Sequence, residues 1–453
     1  MLLTYIRIVV RKNRREWKID LRKLVKQIPS SYHSILADLE DIFLNETSQL
    51  LENLQSPSVT ILITGTTSSG KSTLVNLLCG AEIIPAAVQE MSAGLVTILH
   101  SQHIAIHIDR TPNALWDCGD WYHLSDREIY DRLSSVMNSY LSAKERGEHN
   151  VRYPQIRIEY PLRLLAKNSR LQLPRGIQLK IIDLPGLAHQ GDTENLSLLN
   201  ICNRALFLVT YNSAETDRQK TNILLQAVVK QLQIVGGLSK NMLFLFNRID
   251  IFHADRDPIG SAEKFINRTR SEIDKLLTKY HLKLESSQII KISTMPALLS
   301  LLIRSKDSSQ RYEAASRLDR NFNFLITDNI TENLPRNPVK WSSQEYDRVA
   351  SVVWDISYAG EFERVLIDVI QASLADLVFL PIIREFEQKL CIKISECIDR
   401  STDRDPIRER LKATSISNVK IFTNRLLKQI DISLKIFIKF KQFINLFKQY
   451  FIR

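Results

Sequence analysis

The chain has 453 residues, of which 44% are hydrophobic and 25% are charged, a composition typical of a folded soluble protein with two or three domains. Its five cysteines are scattered and form no CxxC pair, so we predict reduced thiols and a cytoplasmic setting. Because no apolar run reaches about 18 residues and no small-residue cleavage site follows the N-terminus, we predict neither a transmembrane helix nor a secretory signal.

The net charge of +11 is concentrated at the two ends of the chain. Residues 1–26 carry nine Lys and Arg against two acidic residues, and residues 415–453 carry eight against one. The remaining residues are therefore slightly acidic. Basic ends of this kind favour anionic partners such as phospholipid or nucleic acid.

Helical and β-rich patterns follow one another in a regular order. Apolar residues at helical spacing predict a helix over 33–55, which Ser56-Pro57 ends. From 59 to about 303, β-rich runs alternate with helical stretches, which predicts an α/β domain, placed at 56–345, with a mainly parallel sheet covered by helices on both faces. The predicted strands are 59–64, 95–100, 104–108, 155–160, 177–182, 205–210, 242–246 and 288–292.

The C-terminal part of the chain has a different pattern. Residues 304–345 are mostly polar and contain a loop signal at 331–338. Helical spacing resumes near 361 and predicts a helical neck over 346–405. We predict a basic amphipathic helix over 406–453 and a basic N-terminal segment over 1–32.

The stretch GTTSSGKST lies between a predicted strand and an apolar helical run. It fits the phosphate-loop pattern GxxxxGK[ST], in which glycines let backbone N–H groups surround phosphates at a helix N-terminus. In this pattern Lys71 reaches the β- and γ-phosphates, and the Ser72 hydroxyl binds Mg²⁺. The predicted phosphate site is Gly65, Thr66, Thr67, Ser68, Ser69, Gly70, Lys71, Ser72 and Thr73.

A second motif, DLPG at 183–186, ends a predicted strand downstream of the phosphate loop. Asp183 can hold Mg²⁺ through water, and the amide of Gly186 can sense the γ-phosphate. The motif is weak by itself, but its place at the end of a strand makes it good evidence for a nucleoside triphosphate site.

A third motif predicts which base is bound. Asn247, Arg248 and Asp250 follow a buried-strand run, and the Asp250 carboxylate can accept hydrogen bonds from ring N1–H and the exocyclic amine of guanine. Adenine would leave this carboxylate unpaired, at a cost of several kcal/mol, so the motif selects GTP over ATP. Asn247 ties the base site to the phosphate loop, the Arg248 stem covers the ring, and Ser293 opens a short loop whose backbone touches the guanine oxygen.

With these motifs, the chain resembles a dynamin-like large GTPase of the bacterial type. Three features carry the resemblance: the SSGKST form of the phosphate loop, the DLPG motif, and the 111 residues between Lys71 and Asp183, which include a predicted helical insert at 125–143. Helices before and after the domain resemble the dynamin neck. The resemblance implies GTP hydrolysis with Mg²⁺, GTP-dependent pairing of two heads, and association with a membrane surface.

The resemblance also assigns catalytic candidates, with three departures from the family pattern. Ser92 is the best match for the switch threonine that binds Mg²⁺, with Thr97 as the fallback. Thr67 stands where dynamins have a glutamine, and Leu187 follows Gly186 where Ras-like enzymes have one. Ser68 matches the serine that offsets charge between the β- and γ-phosphates, which allows a monovalent cation. The catalytic candidates are Ser68, Lys71, Ser92 and Gly186, with Ser72, Ser92 and Asp183 as metal ligands.

The basic C-terminal stretch allows two interpretations. Its wide aromatic face and lysine-rich polar face are typical of a membrane-surface helix, and equally of a helix packed into the neck. Nucleic acid is the least favoured partner. We therefore predict a GTPase that couples head pairing to a membrane surface, with a soluble regulatory GTPase acting on a protein or RNA partner as the alternative.

Overall fold

The structure, a computed structural model, describes most of the chain. The described residues are 7–8, 10–12, 14–16, 33–65, 68–86, 94–148, 151–166, 169–184, 205–213, 226, 229, 241–327, 330, 334–399 and 406–451, without the side chains of 36, 406–408 and 433–451. The chain forms two compact units. The helical unit comprises Met1–Val59, Leu173–Gln178 and Ile370–Arg453, and the sheet unit comprises Thr60–Gln172 and Leu179–Val369.

Within the described residues, nine strands form one sheet in the order β4-β3-β5-β2-β6-β1-β7-β8-β9. The strands are β1 Ser58–Gly65, β2 Leu95–His100, β3 Ala105–Ile108, β4 Gly119–Tyr122, β5 Gln155–Tyr160, β6 Gln178–Asp183, β7 Leu206–Asn212, β8 Met242–Asn247 and β9 Ile289–Ile292. Strand β8 is buried along its whole length, and β7 nearly so, as expected for strands covered on both faces.

Most neighbouring strands run in the same direction. The pairs β2–β5, β1–β7, β7–β8 and β8–β9 are parallel, whereas β2–β6, β3–β4 and β3–β5 are antiparallel. Strands β1 and β6 are also parallel, since Gln178 N–H donates to Pro57 O at 3.0 Å and Leu184 N–H donates to Ile63 O at 3.1 Å. The carboxyl ends of β1, β6, β7 and β8 therefore meet at one edge, where α/β proteins bind ligands.

Helices join and cover the strands. The longer described helices are α1 His33–Asn53, α2 Lys71–Cys79, α3 Asp126–Glu145, α4 Pro258–Lys279, α5 Thr294–Leu302, α6 Ser308–Thr327, α7 Ser343–Ile356, α8 Ala359–Ala372, α9 Leu380–Ile398 and α10 Pro406–Phe451. In the described part of the chain, no single helix has the length and apolarity to cross a membrane, although α8 together with Ala375–Ile398, bent by 65°, meets that criterion as a pair.

The predicted fold class is confirmed, with two differences in detail. Each predicted strand is present within two residues of its expected bounds. Strand β4 was missed because its short sequence, GDWY, contains glycine and aspartate and forms the sheet edge. The polar stretch 304–345 contains helix α6, whose buried Ala314, Ala315 and Leu318 face the core at helical spacing.

In the helical unit, α10 packs through its apolar face. The Phe422 ring lies between Phe43 of α1 and Phe386 of α9, with ring centroids 5.7 Å from each. The neighbouring turns of α10 bury Val419, Leu426 and other apolar residues at helical spacing. Over residues 411–430, the packed-helix interpretation of the C-terminal stretch therefore holds.

We expect Phe422→Ala to lower the stability of the helical unit by about 3–5 kcal/mol, because it opens a cavity between two rings. The matched control is Ile421→Ala, since Ile421 is 47% exposed and its loss should cost less than about 0.5 kcal/mol. Denaturant unfolding followed by circular dichroism measures both. Equal effects of the two substitutions would contradict the packing of α10.

Candidate nucleotide-binding site

The phosphate loop connects β1 to α2 at the carboxyl edge of the sheet. Gly70 is the N-cap of α2 and is left-handed, with φ 86°, and Ser68 is also left-handed, with φ 59°. Such turns before a helix direct backbone N–H groups toward an anion. Lys71, Ser72 and Thr73 form the first turn of α2 and are buried, whereas Thr66 and Thr67 lie outside the described residues.

Steric constraints require glycine at positions 65 and 70 of the motif. A Cβ atom on Gly65 would lie 2.1 Å from Thr210 Oγ1 on β7. A Cβ atom on Gly70 would lie 2.1 Å from Asn247 Nδ2 on β8. The loop can therefore approach the ends of β7 and β8 only with glycine at these two positions.

Beneath the loop, Lys71 and Asp183 form a buried pair of opposite charges. Burial lowers the pKa of Lys71 to about 8, against the opposing effect of Asp183. Burial raises the pKa of Asp183 to about 6, against the effects of Lys71 and of the hydrogen bond from Ser72. Each group thus keeps the other charged in a site that disfavours charge.

The same residues have the chemistry of a magnesium site. Ser72 Oγ donates to Asp183 Oδ2 at 3.3 Å, while Asp183 Oδ1 is buried and has no hydrogen-bond partner among the described residues. Hydroxyl and carboxylate oxygens are the ligands that Mg²⁺ prefers, so this unsatisfied oxygen fits a cation beside it. Ser92 and Gly186, the other candidates near the γ-phosphate, lie outside the described residues, and Thr97 lies within β2 opposite Ile182 of β6.

On the base side, Asn247 connects three segments. Its Nδ2 donates to Ser69 O at 2.7 Å, and its Oδ1 accepts from the backbone N–H groups of Arg248 at 2.8 Å and Thr294 at 3.0 Å. Asn247 is 1% exposed, so these bonds are shielded from water. The side chain joins the phosphate loop, the turn after β8 and the first residue of α5.

The turn after β8 presents Arg248 and Asp250. Arg248 is exposed and left-handed, with φ 63°, and Asp250 follows in a short 3₁₀ turn, where it is half-buried. Asp250 N–H donates to Ser293 Oγ at 3.1 Å, which fixes the backbone that carries the carboxylate.

The base contact expected from the backbone of the loop that Ser293 opens stays a prediction. The Ser293 N–H group donates to Ser357 O at 3.0 Å, in the turn between α7 and α8. The next amide, that of Thr294, is bonded to Asn247 Oδ1. The Ser293 side chain positions Asp250 by accepting from its backbone N–H.

Sequence reasoning missed two residues at the end of β7. Thr210 Oγ1 lies 2.6 Å from Ser69 Oγ in the phosphate loop. Ser213 donates to Asn247 O from both its hydroxyl, at 2.7 Å, and its backbone N–H, at 3.1 Å. Neither residue stands at a fixed sequence distance from a nucleotide motif, so the sequence gives no signal for these contacts. They become visible only when the strand order places β7 between β1 and β8.

A phosphate-type loop, a buried Asp–Ser pair and an Asn–Arg–Ile–Asp turn lie on one sheet edge, which is the arrangement of a P-loop nucleotide-binding site. Residues 61–240 match the family model of the dynamin family. A curated relative, the bacterial dynamin-like protein of Nostoc punctiforme, is 25% identical over 288 residues. That alignment covers 59% of this chain and 37% of the relative, so the chain spans well under half of the relative's length. These matches support a dynamin-like GTPase, as the sequence motifs predicted.

Similar solved structures were also found. Two chains described as an oligomerised bacterial dynamin pair that senses and tethers membranes are 14% and 13% identical, with TM-scores of 0.39 and 0.37. The alignments cover 97% and 96% of this chain and 53% and 78% of those chains. Toc33 from Arabidopsis thaliana is 12% identical with a TM-score of 0.29, over 74% of this chain and 95% of that one.

Proposed function

We propose that the chain binds GTP with Mg²⁺ and hydrolyses it. One hydrogen bond carries the proposal: the Asn247 side chain donates to the carbonyl oxygen of Ser69 in the phosphate loop. Asn247 itself stands three residues before Asp250, the residue proposed to recognise the base. This contact sets a phosphate subsite and a base subsite side by side, as a single nucleotide requires. The dynamin-family match over residues 61–240 supports the same conclusion.

Each described residue then has a role in the site. Lys71 stabilises charge on the β- and γ-phosphates, Asp250 selects guanine, and Ser72 with Asp183 holds Mg²⁺. When bound, Mg²⁺ neutralises the charge that develops on the transferred phosphoryl group. Ser68 is proposed to hold a monovalent cation at the phosphates. Outside the described residues, Ser92 is proposed to bind Mg²⁺, and the amide of Gly186 is proposed to sense the γ-phosphate.

We further propose that GTP-loaded heads pair and that the chain works at an anionic membrane surface. Residues 433–453 contain twelve apolar residues and five Lys or Arg, with no acidic residue. Such a composition is typical of helices at the lipid interface. There, each basic side chain contributes on the order of 1 kcal/mol to the free energy of binding to anionic lipid. Because α10 is packed against protein over 411–430, the part of this helix proposed to meet lipid is the part beyond 433.

The first experiment measures GTP turnover per molecule against protein concentration, with and without liposomes rich in phosphatidylserine. We expect the rate per molecule to rise with concentration, because heads pair, and to rise further on anionic liposomes. A low rate that is indifferent to both would contradict head pairing on lipid and favour the regulatory switch. Faster turnover of ATP than of GTP would contradict the base assignment.

A matched pair of variants tests the membrane site. Lys435, Lys439 and Lys441 changed together to Gln should weaken binding to liposomes in co-sedimentation by about a hundredfold, with a smaller loss at high salt. The control removes the same charge from exposed positions of α4, as Lys264, Lys275 and Lys279 to Gln, and should leave lipid binding unchanged. Equal losses would mean that lipid binding depends on net charge alone.

A further inference from the structure

We infer that Thr210, on β7, is a positioning residue for the nucleotide, which sets the conformation of the phosphate loop through Ser69. The inference rests on the proposed GTP site and adds to it a residue that lies outside every nucleotide motif of the sequence. Thr210 lies opposite Gly65, the first glycine of the loop, in the pairing of β7 with β1, and it is 1% exposed.

The direction of the hydrogen bonds follows from counting hydrogens. Thr210 Oγ1 donates its single hydrogen to Thr64 O, at 3.1 Å. For the 2.6 Å contact between the two hydroxyls to be a hydrogen bond at the same time, Ser69 Oγ has to donate and Thr210 Oγ1 has to accept. The Ser69 hydroxyl is thus bonded to the sheet and is not directed at a phosphate.

Residue 69 is consequently held on two sides. Its side chain donates to Thr210 on β7, and its carbonyl oxygen accepts from Asn247 on β8. The bond to the carbonyl oxygen fixes the peptide plane after residue 69, which carries the N–H of Gly70, and the side-chain bond anchors residue 69 to β7. This N–H group belongs to the part of the loop that surrounds phosphate. Ser69 is fully buried, so water cannot replace a lost partner.

The packing at Gly65 shows that this contact shapes the loop. A Cβ atom on Gly65 would lie 2.1 Å from Thr210 Oγ1 and 2.6 Å from Ser69 Oγ. The two hydroxyls therefore fill the space that the first glycine leaves open. Gly65 and Thr210 are therefore complementary in shape: the missing side chain of Gly65 leaves room for a hydroxyl side chain of the size of threonine.

The test replaces Thr210 by valine, which keeps the shape and removes the hydrogen bonds. We expect Thr210→Val to weaken binding of a fluorescent GTP analogue with Mg²⁺ by about tenfold, whereas Thr210→Ser should stay within about threefold of the unmodified chain. The matched control is Thr47→Val, because Thr47 is a buried threonine of α1 whose Oγ1 donates to Phe43 O at 2.7 Å. The control should lower the melting midpoint and leave nucleotide affinity unchanged.

A second variant keeps the inference testable if Thr210→Val does not fold. Ser69→Ala should also weaken binding, and the Ser69→Ala, Thr210→Val double variant should bind no more weakly than Thr210→Val alone, because both changes remove one shared bond. Thr210→Val or Ser69→Ala with the nucleotide affinity of Thr47→Val would overturn the inference. If the unmodified chain bound no GTP, the proposed function itself would fail, which is a separate result.

Discussion

Lys71→Ala is expected to lower GTP turnover by about a thousandfold or more. Lys71 is buried at the start of α2, where its ammonium group can act on phosphate oxygens with little screening by water. The substitution also removes the charge that opposes the rise in the pKa of Asp183, which is already about 6. The carboxylate would then be a weaker ligand for Mg²⁺ near neutral pH.

The loss of the Lys71 charge at the phosphates and the weaker binding of Mg²⁺ by Asp183 can be separated by titration with Mg²⁺. Turnover and nucleotide affinity of Lys71→Ala should be measured over a range of Mg²⁺ concentrations, and saturating Mg²⁺ should restore part of the affinity but little of the rate. Lys180→Ala is the matched control, since Lys180 is half-buried on β6, three residues before Asp183, and should keep the rate within about twofold. A Lys71→Ala rate within tenfold of the unmodified chain would contradict the role of Lys71 at the phosphates.

The central strands could be predicted because their burial leaves a strong signal in the sequence. Strands covered on both faces read as continuous apolar runs, as in MLFLFN of β8. Strand β4 gives no such signal, because it is a short edge strand that pairs only with β3 among the described strands, and its side-chain contacts depend on its neighbours. His107 of β3 is hydrogen-bonded to Asp120, and the guanidinium of Arg132 lies 3.9 Å from the centre of the Trp121 ring.

The nucleotide motifs could be predicted because backbone geometry demands particular residues at fixed spacing. The contacts that hold those motifs could not, because they join distant parts of the chain. Thr210 is 141 residues from Ser69, and many polar side chains at a strand end would look the same in the sequence. The partner of the Ser293 amide, Ser357, is likewise set by the position of a turn between two helices.

The C-terminal stretch shows a different limit of sequence reasoning. Periodicity identifies an apolar face on a helix, but it does not say whether protein or lipid covers that face. For the turn around Phe422 the answer is given by the rings of Phe43 and Phe386. Within the C-terminal stretch, the basic residues beyond 433 are therefore the ones to test for contact with lipid.

Asp250→Asn is expected to lower the affinity for GTP by at least about a hundredfold and to raise that for xanthosine triphosphate by a similar factor. The carboxylate accepts from N1–H and the exocyclic amine of guanine, whereas an amide presents one acceptor and one donor. Xanthine has an oxygen in place of that amine, so its N1–H and oxygen match the amide. Competition between the two nucleotides for a fluorescent analogue measures the change.

The substitution should leave the turn intact, which makes the result specific to the base. Asp250 is anchored by its backbone N–H, which donates to Ser293 Oγ, and this bond does not depend on the side chain that is changed. The matched control is Asp255→Asn, an exposed aspartate of the same loop, which should keep the preference for GTP. If Asp250→Asn lost GTP without gaining xanthosine triphosphate, the carboxylate would be supporting the loop and some other group would be selecting the base.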